Sequence, residues 1–283
     1  MAVAHHDARH ANSKPKIVII QNQPLSTLLP YGSLILGVSL IFVVLLSNLL
    51  ERWVLRKVYP DVYNGLERGK DERRRRSFVY FHIGVMVMLS LLATGAYPVL
   101  YFLTGTSDFS TLLIGTITLG DVLFILSEIY SSYYFFELCF RTKFSSPISI
   151  AHHLGLLAVI QTALALFADI GSNPEATLEF YMCMVWGAFD VVTEIPIYAS
   201  MIIWRLRRDD SQLLVHIAYG CSCWATTAAA VETAITIYLL HISWDRWGAI
   251  WRIVTPLIFA LWIVTQLYGA FRFFKMAQSQ RSK

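Results

Sequence analysis

Apolar residues dominate seven stretches of this chain, each about as long as a helix needs to cross a hydrocarbon layer about 30 Å thick. They run from Tyr31 to Leu50, Phe78 to Leu103, Thr111 to Phe140, Ile148 to Ala168, Leu178 to Trp204, Leu213 to His241 and Trp247 to Phe274. Within lipid every backbone N–H and C=O must find a partner inside its own segment or a closed barrel. Runs this continuously apolar lack the alternation of a barrel strand, so the pattern predicts helices. The expected fold is therefore all-α: a polytopic membrane protein with seven transmembrane helices in one bundle. Most connections are short, which makes consecutive helices antiparallel neighbours. The longest, Glu51 to Ser77, is polar and basic and is expected to be partly mobile.

Composition agrees with this pattern. Of 283 residues, 56 % are hydrophobic and 15 % charged, and the mean hydropathy is +0.53. A soluble domain has about a quarter of its residues charged. The net charge of +4 matters less than where the cations fall. Arg52, Arg56, Lys57, Arg68, Lys70 and Arg73 to Arg76 lie between the first two spans. Arg141 and Lys143 follow the third span, Arg205, Arg207 and Arg208 the fifth, and Arg272, Lys275, Arg281 and Lys283 the seventh. The intervening connections hold only Arg246 and Arg252. This alternation follows the positive-inside rule, and it predicts a luminal N-terminus and a cytosolic C-terminus. The arginine run suits anionic lipid headgroups, and no nucleic acid is expected as a partner. Residues 1–30 lack a leading apolar stretch and read as a luminal tail, with the first span as an uncleaved anchor.

Ionisable side chains inside the spans carry the candidate chemistry. Such groups are costly in lipid and normally face a cavity or a partner. The third span holds Asp121, Glu128 and Glu137. The fourth opens with His152–His153, the fifth holds Asp190 and Glu194, and the sixth His216, Glu232 and His241. Asp121 and Glu128 are seven residues apart and share one side of a helix. Asp190 and Glu194 are four apart, with Trp186 one turn before them. Turned inward, these faces would form an acidic, histidine-containing chamber. A histidine beside a carboxylate can act as general base, or as nucleophile toward an activated acyl group. The same residues can instead pair to hold helices together. The histidines lack the spacings of a local zinc site, and Cys139, Cys183, Cys221 and Cys223 lack C-x-x-C spacing, so no metal is expected.

The stretch Gly120-Asp121 through Tyr133, Tyr134 and Phe136-Glu137-Leu138, followed by Ala151-His152-His153-Leu154-Gly155, resembles the family of translocating-chain-associating, longevity-assurance and ceroid-lipofuscinosis (TLC) proteins. Glu194-Ile195-Pro196 through Trp204-Arg205-Leu206 is similar to that family's fifth-helix pattern. The resemblance spans about residues 70 to 275. It implies a six-helix core at 78–275, preceded by a tail at 1–30 and a first helix with its basic loop at 31–77. A cytosolic tail at 276–283 completes the chain. In the ceramide synthase branch, paired histidines and acidic residues on the following helix support transfer of a fatty acyl group from coenzyme A to a sphingoid amine. Carried over, this implicates His152, His153 and Asp190 as catalytic. The chain departs from the synthase signature: Phe189-Asp190-Val191-Val192-Thr193-Glu194 has one aspartate fewer than expected.

The resulting expectation is a membrane lipid enzyme of the endoplasmic reticulum, similar to a ceramide synthase. It would act on a long-chain acyl or sphingoid substrate among membrane lipids. No cofactor is expected to be bound, acyl-CoA would be the co-substrate, and a homodimer is left open. His152 or His153 would be base or nucleophile and Asp190 would orient the imidazole. Asp121, Glu128, Trp186 and Glu194 would shape the substrate pocket. The alternative is a non-catalytic TLC protein that binds lipid, regulates membrane composition or escorts cargo.

Overall fold

The computed structural model describes residues 14–20, 23–68, 72–105, 107–141, 143 and 145–282. Among the described residues, seven helices are long and apolar enough to cross a membrane: Leu29–Val58, Glu72–Thr104, Leu119–Arg141, Pro147–Asp169, Ala176–Leu206, Ser211–Arg246 and Trp251–Arg281. They are called spans one to seven below. The chain is an all-α integral membrane protein.

The neighbour relations among the spans define the bundle. Span two packs on span three, three on four, four on seven, seven on six, six on five, and five returns to two. Six spans thus close a ring, with four also touching five across it. Span one lies outside and packs on spans three and two. Spans three and five are the most deeply buried and span one the least. That ordering follows from content, because spans three and five carry most of the ionisable groups that lipid would penalise.

Several boundaries differ from those read in the sequence. Span three starts at Leu119 rather than Thr111, because Leu112–Ile114 and Ile117–Thr118 pair as a short antiparallel hairpin. Gly115 makes its turn with φ of 57°, a conformation that costs glycine little. Thr118 then caps the helix. Its hydroxyl accepts from the Asp121 amide at 3.1 Å, while the Asp121 carboxylate accepts from the Thr118 amide at 3.0 Å. This reciprocal capping box satisfies two otherwise orphaned donors. Span seven starts at Trp251 because Trp244–Arg246 form a 3-10 turn, and it continues to Arg281 through the expected tail.

The long basic connection is mostly helical. Span one extends to Val58 through a π-helical turn at Leu50–Val54, and a separate helix covers Pro60–Arg68. Pro60 is suited to a first helical position, where its missing N–H costs nothing. This short helix buries Tyr63 and Leu66 on one side, and the Tyr63 hydroxyl donates to Glu51 at 3.3 Å. Burial first, and then the charge of Glu51, push the Tyr63 hydroxyl up to about 12, so it stays a donor. Arg75 reaches the same carboxylate at 3.2 Å. Lys70 and residues 69 and 71 lie outside the described residues.

Residues 1–13 of the expected N-terminal tail likewise lie outside the described residues. The part that follows is docked. Ile17, Ile20 and Leu25 are buried, and Arg246 donates to the carbonyls of Ile17 and Ile20 at 2.5 and 2.6 Å. Lys16 is bound by the Ser107 carbonyl and by Asp108. This segment packs against the end of the bundle opposite the basic connections.

Candidate functional site

The ring of spans brings one polar cluster together near its basic end. It centres on Glu137, in the last turns of span three. One Glu137 oxygen, Oε2, accepts from the Tyr80 hydroxyl of span two at 2.6 Å and lies 3.1 Å from His153 Nδ1 of span four. The other, Oε1, accepts from Arg141 at 3.1 Å. A carboxylate only accepts, so Tyr80 and Arg141 donate to Glu137, while His153 turns Nδ1 toward it as an ion-pair contact, with Nε2 on the opposite side of the ring. The Tyr80 hydroxyl proton goes to Glu137. The Tyr198 hydroxyl of span five lies 2.8 Å from that of Tyr80. Arg141 stacks over the Tyr80 ring at 4.1 Å, which holds its charge in this mostly buried place.

His152 is anchored differently. Thr265 of span seven donates its one proton to the Trp262 carbonyl at 2.7 Å, so it accepts from His152 Nδ1 at 2.8 Å. This leaves the His152 Nε2 without the proton. The His152 ring lies 4.4 Å from Trp262 and 5.3 Å from His153. Trp262 stacks in turn with Trp186, which stacks on Phe259 with centroids 5.7 Å apart. The Trp186 indole donates to Thr236 of span six at 3.1 Å. The Trp262 indole nitrogen is buried with no acceptor among the described residues. Buried donors are normally paired, so this one marks a place where a bound molecule can supply the acceptor.

Asp190 was expected to orient an imidazole, and its hydrogen bonds go elsewhere. Its Oδ2 accepts from the Tyr130 hydroxyl at 2.5 Å and from that of Tyr134. The carboxylate paired with a histidine is Glu137. Glu194 lies one turn beyond Asp190, beside Tyr198. His152, His153, Trp186, Asp190 and Glu194 are thus brought into one region.

Two predicted pocket residues lie away from it. Asp121 forms the cap at the far end of span three, about 24 Å along the helix from Glu137, and also accepts from Ser26 at 2.6 Å. Glu128 accepts from Gln161 at 3.2 Å, next to the point where Gly32 brings span one against span three. Both side chains act in packing.

The sequence reading did not give site roles to Tyr80, Tyr130, Tyr198, Trp262 and Thr265, nor to Glu137 as histidine partner. One signal was present: Tyr130, Tyr133, Tyr134 and Glu137 follow the i, i+3, i+4, i+7 spacing of a single helical face. Gly84 of span two makes room for this face. A Cβ there would meet the Tyr198 ring at 2.6 Å and the Tyr133 hydroxyl at 2.8 Å. Gly84→Ala is therefore expected to cost about 1–3 kcal/mol by overpacking, seen as a lower melting temperature in detergent. Gly37→Ala, where a Cβ meets nothing within 4 Å, should be neutral.

Beside the cluster lies an apolar cavity of about 180 Å³ between spans two, three, four and five. Leu91, Gly95, Tyr130, Met184, Gly187 and Val191 contribute to its wall. Tyr130 belongs to both regions, with its ring on the cavity and its hydroxyl on Asp190. Leu100 and Val192, also in the lining, are exposed on the lipid-facing surface. Among the described residues, no three His, Cys, Asp or Glu side chains converge on a single ion position.

Comparison with known proteins returns no match, whether with family models, curated proteins or solved structures.

Proposed function

We propose that the chain is a TLC-type membrane lipid enzyme of the endoplasmic reticulum, transferring a long-chain acyl group from acyl-CoA to a sphingoid or similar amine. The observation that carries this reading is the His153–Glu137 pair in a buried polar cluster that reaches an apolar cavity through Tyr134, Asp190 and Tyr130. It joins a histidine set against a carboxylate to space for a hydrocarbon chain. In the proposed step His153 Nε2 takes a proton from the amine as its nitrogen attacks the thioester carbonyl. The C–N bond forms, the C–S bond breaks, and the imidazolium returns the proton to the departing thiolate. Glu137 stabilises the imidazolium, and the unpaired Trp262 indole offers a hydrogen bond to the acyl oxygen. The basic end of the bundle then faces the cytosol, where acyl-CoA is supplied, and the N-terminus is luminal.

A second reading rests on the pairing of the other acidic groups. Glu179 accepts from Thr255 at 2.8 Å and Glu232 from Gln266 at 2.7 Å, each across two spans. Such bonds hold helices together without chemistry. A lipid-binding, non-catalytic protein would use the same cavity.

Lipid mass spectrometry on detergent-purified protein incubated with acyl-CoA and a sphingoid base decides between them. The first reading expects an N-acyl product. Well-folded protein that binds lipid but forms no product supports the second. Chain placement has its own test. Gly187 lines the cavity, and a Cβ there meets nothing within 4 Å. Gly187→Trp should lower use of long chains about tenfold relative to chains two methylenes shorter, at about 0.8 kcal/mol per buried CH₂. An unchanged chain-length profile would place the acyl chain elsewhere.

A further inference from the structure

Spans two and three are joined at the end opposite the basic connections, and the joint contains the hairpin of Leu112–Ile114 and Ile117–Thr118. Residues 109–120 carry no charge. The aspartates on either side are engaged elsewhere, Asp108 with Lys16 at 3.3 Å and Asp121 with Ser26 and Thr118. Leu113 is half-buried and packs on the core. Alternation along the strand turns Leu112 and Ile114 the other way, and pairing with Ile114 puts Ile117 beside them. These three side chains are 64, 76 and 47 % exposed.

An uncharged two-stranded edge with three bare aliphatic side chains would be an aggregation site in water. The dimensions of span three decide what covers it. Leu119–Arg141 has 23 residues and rises about 34 Å, at about 1.5 Å per residue. The hydrocarbon layer takes up about 30 Å of this. With Arg141 at one surface Leu119 comes at the other, and the hairpin joins span three there without an intervening residue. Strands this short reach about 10 Å from that point, which keeps the hairpin at the depth of the lipid headgroups. Its outer backbone edges bar it from sinking further, because hydrocarbon offers their N–H and C=O groups no partner. We infer that the hairpin is an interfacial anchor, with Leu112, Ile114 and Ile117 inserted into the lipid leaflet at the end opposite the basic connections. Because the hairpin carries no charge, insertion requires no anionic lipid. Thr118 leads straight into the capping box of span three, so the anchor holds that span against sliding along the membrane normal. The inference needs only the membrane character of the chain and holds whether or not His153 is catalytic.

A polarity-sensitive fluorophore on Ile114→Cys tests this in the full chain, reconstituted in neutral phosphatidylcholine vesicles. The exposed Cys139 and Cys223 are first replaced by alanine, while Cys183 and Cys221 are buried and stay. Quenchers carried at two depths on lipid chains, and iodide on both sides of the bilayer, give the position of the label. It is expected about 5–10 Å into the headgroup–acyl boundary, quenched from the lipid, shielded from iodide and unaffected by added anionic lipid. Asp209→Cys, in an exposed connection, gives the iodide-accessible reference. Leu45→Cys, on the lipid-facing side of span one, gives the embedded one. Adding Leu112→Asp and Ile117→Asp should return the Ile114 position to iodide at an unchanged melting temperature, because neither side chain is buried in the protein. If that variant fails to fold, Leu112→Ser/Ile117→Ser takes its place. Iodide access in the unaltered hairpin equal to that at Asp209→Cys overturns the anchor, as does shielding that persists in the well-folded aspartate or serine variant. Shielding that disappears when the protein is diluted in lipid also overturns it, since a second copy of the chain then covers the face.

Discussion

His153→Asn is expected to lower acyl transfer by about 10²–10⁴-fold, the usual contribution of a general base, while the protein keeps its fold. The choice of asparagine is deliberate. Its amide nitrogen occupies roughly the place of His153 Nδ1, so it can keep the contact with Glu137, which lies 3.1 Å from His153. What it lacks is Nε2. A structural role for His153 would survive this change, because the tie between spans three and four is kept. A catalytic role would not. The measurement pairs product formation from acyl-CoA and a sphingoid base with the melting temperature of the same sample. Low activity at unchanged melting supports the base. Wild-type activity in well-folded His153→Asn removes His153 from the reaction. His152→Ala is the companion variant. It removes the ring that packs on Trp262 and bonds Thr265, and its loss of activity should be smaller, because among the described residues no carboxylate is paired with that imidazole.

The parts of this arrangement differ in how far the sequence specified them. The seven spans follow from apolar run length, and basic residues alternate with them, so both number and type were legible. The gathering of His152, His153, Asp190 and Glu194 in one region was also legible, since buried ionisable groups in lipid have few other places to go. The partner of His153 was not. Apolar residues run around almost the whole circumference of most spans, so periodicity separates inside from lipid poorly. Nothing in a single sequence states that span three presents Glu137 to span four. Asp121 illustrates the opposite error. Its spacing from Glu128 puts both on one side of the helix, yet Asp121 is needed at the cap three residues after Thr118. A residue pattern that fits a pocket also fits a capping box, and the hairpin ending at Thr118 decides between them. The helix Pro60–Arg68 was hidden for a related reason. Its short, strongly charged sequence reads as a loop until Tyr63 and Leu66 find a surface to bury against.

Glu137→Ala should be the most damaging single change to stability, at about 3–5 kcal/mol, as expected when one member of a buried ion pair is removed. Two donors, Tyr80 and Arg141, lose their acceptor at once, and His153 loses its carboxylate neighbour. Arg141 dominates, because it remains charged in a place where only 17 % of its side chain is exposed. Its stacking over Tyr80 and Phe81, at 4.1 and 5.4 Å, offsets only part of this, since a cation–π contact contributes about 0.5–2 kcal/mol. The double variant Glu137→Leu/Arg141→Met separates the pair's own contribution from the cost of a stranded charge. Replacing both partners by apolar groups of similar volume is often neutral, so most of the lost stability should return, while acyl transfer stays low because His153 has lost the carboxylate that fixes it. Thermal melting of the single and double variants in one detergent, with activity assayed on each, reads both effects. If Glu137→Ala melts like the wild type, the carboxylate does not hold spans two, three and four together. If the double variant regains activity along with stability, Glu137 serves the fold and not the reaction.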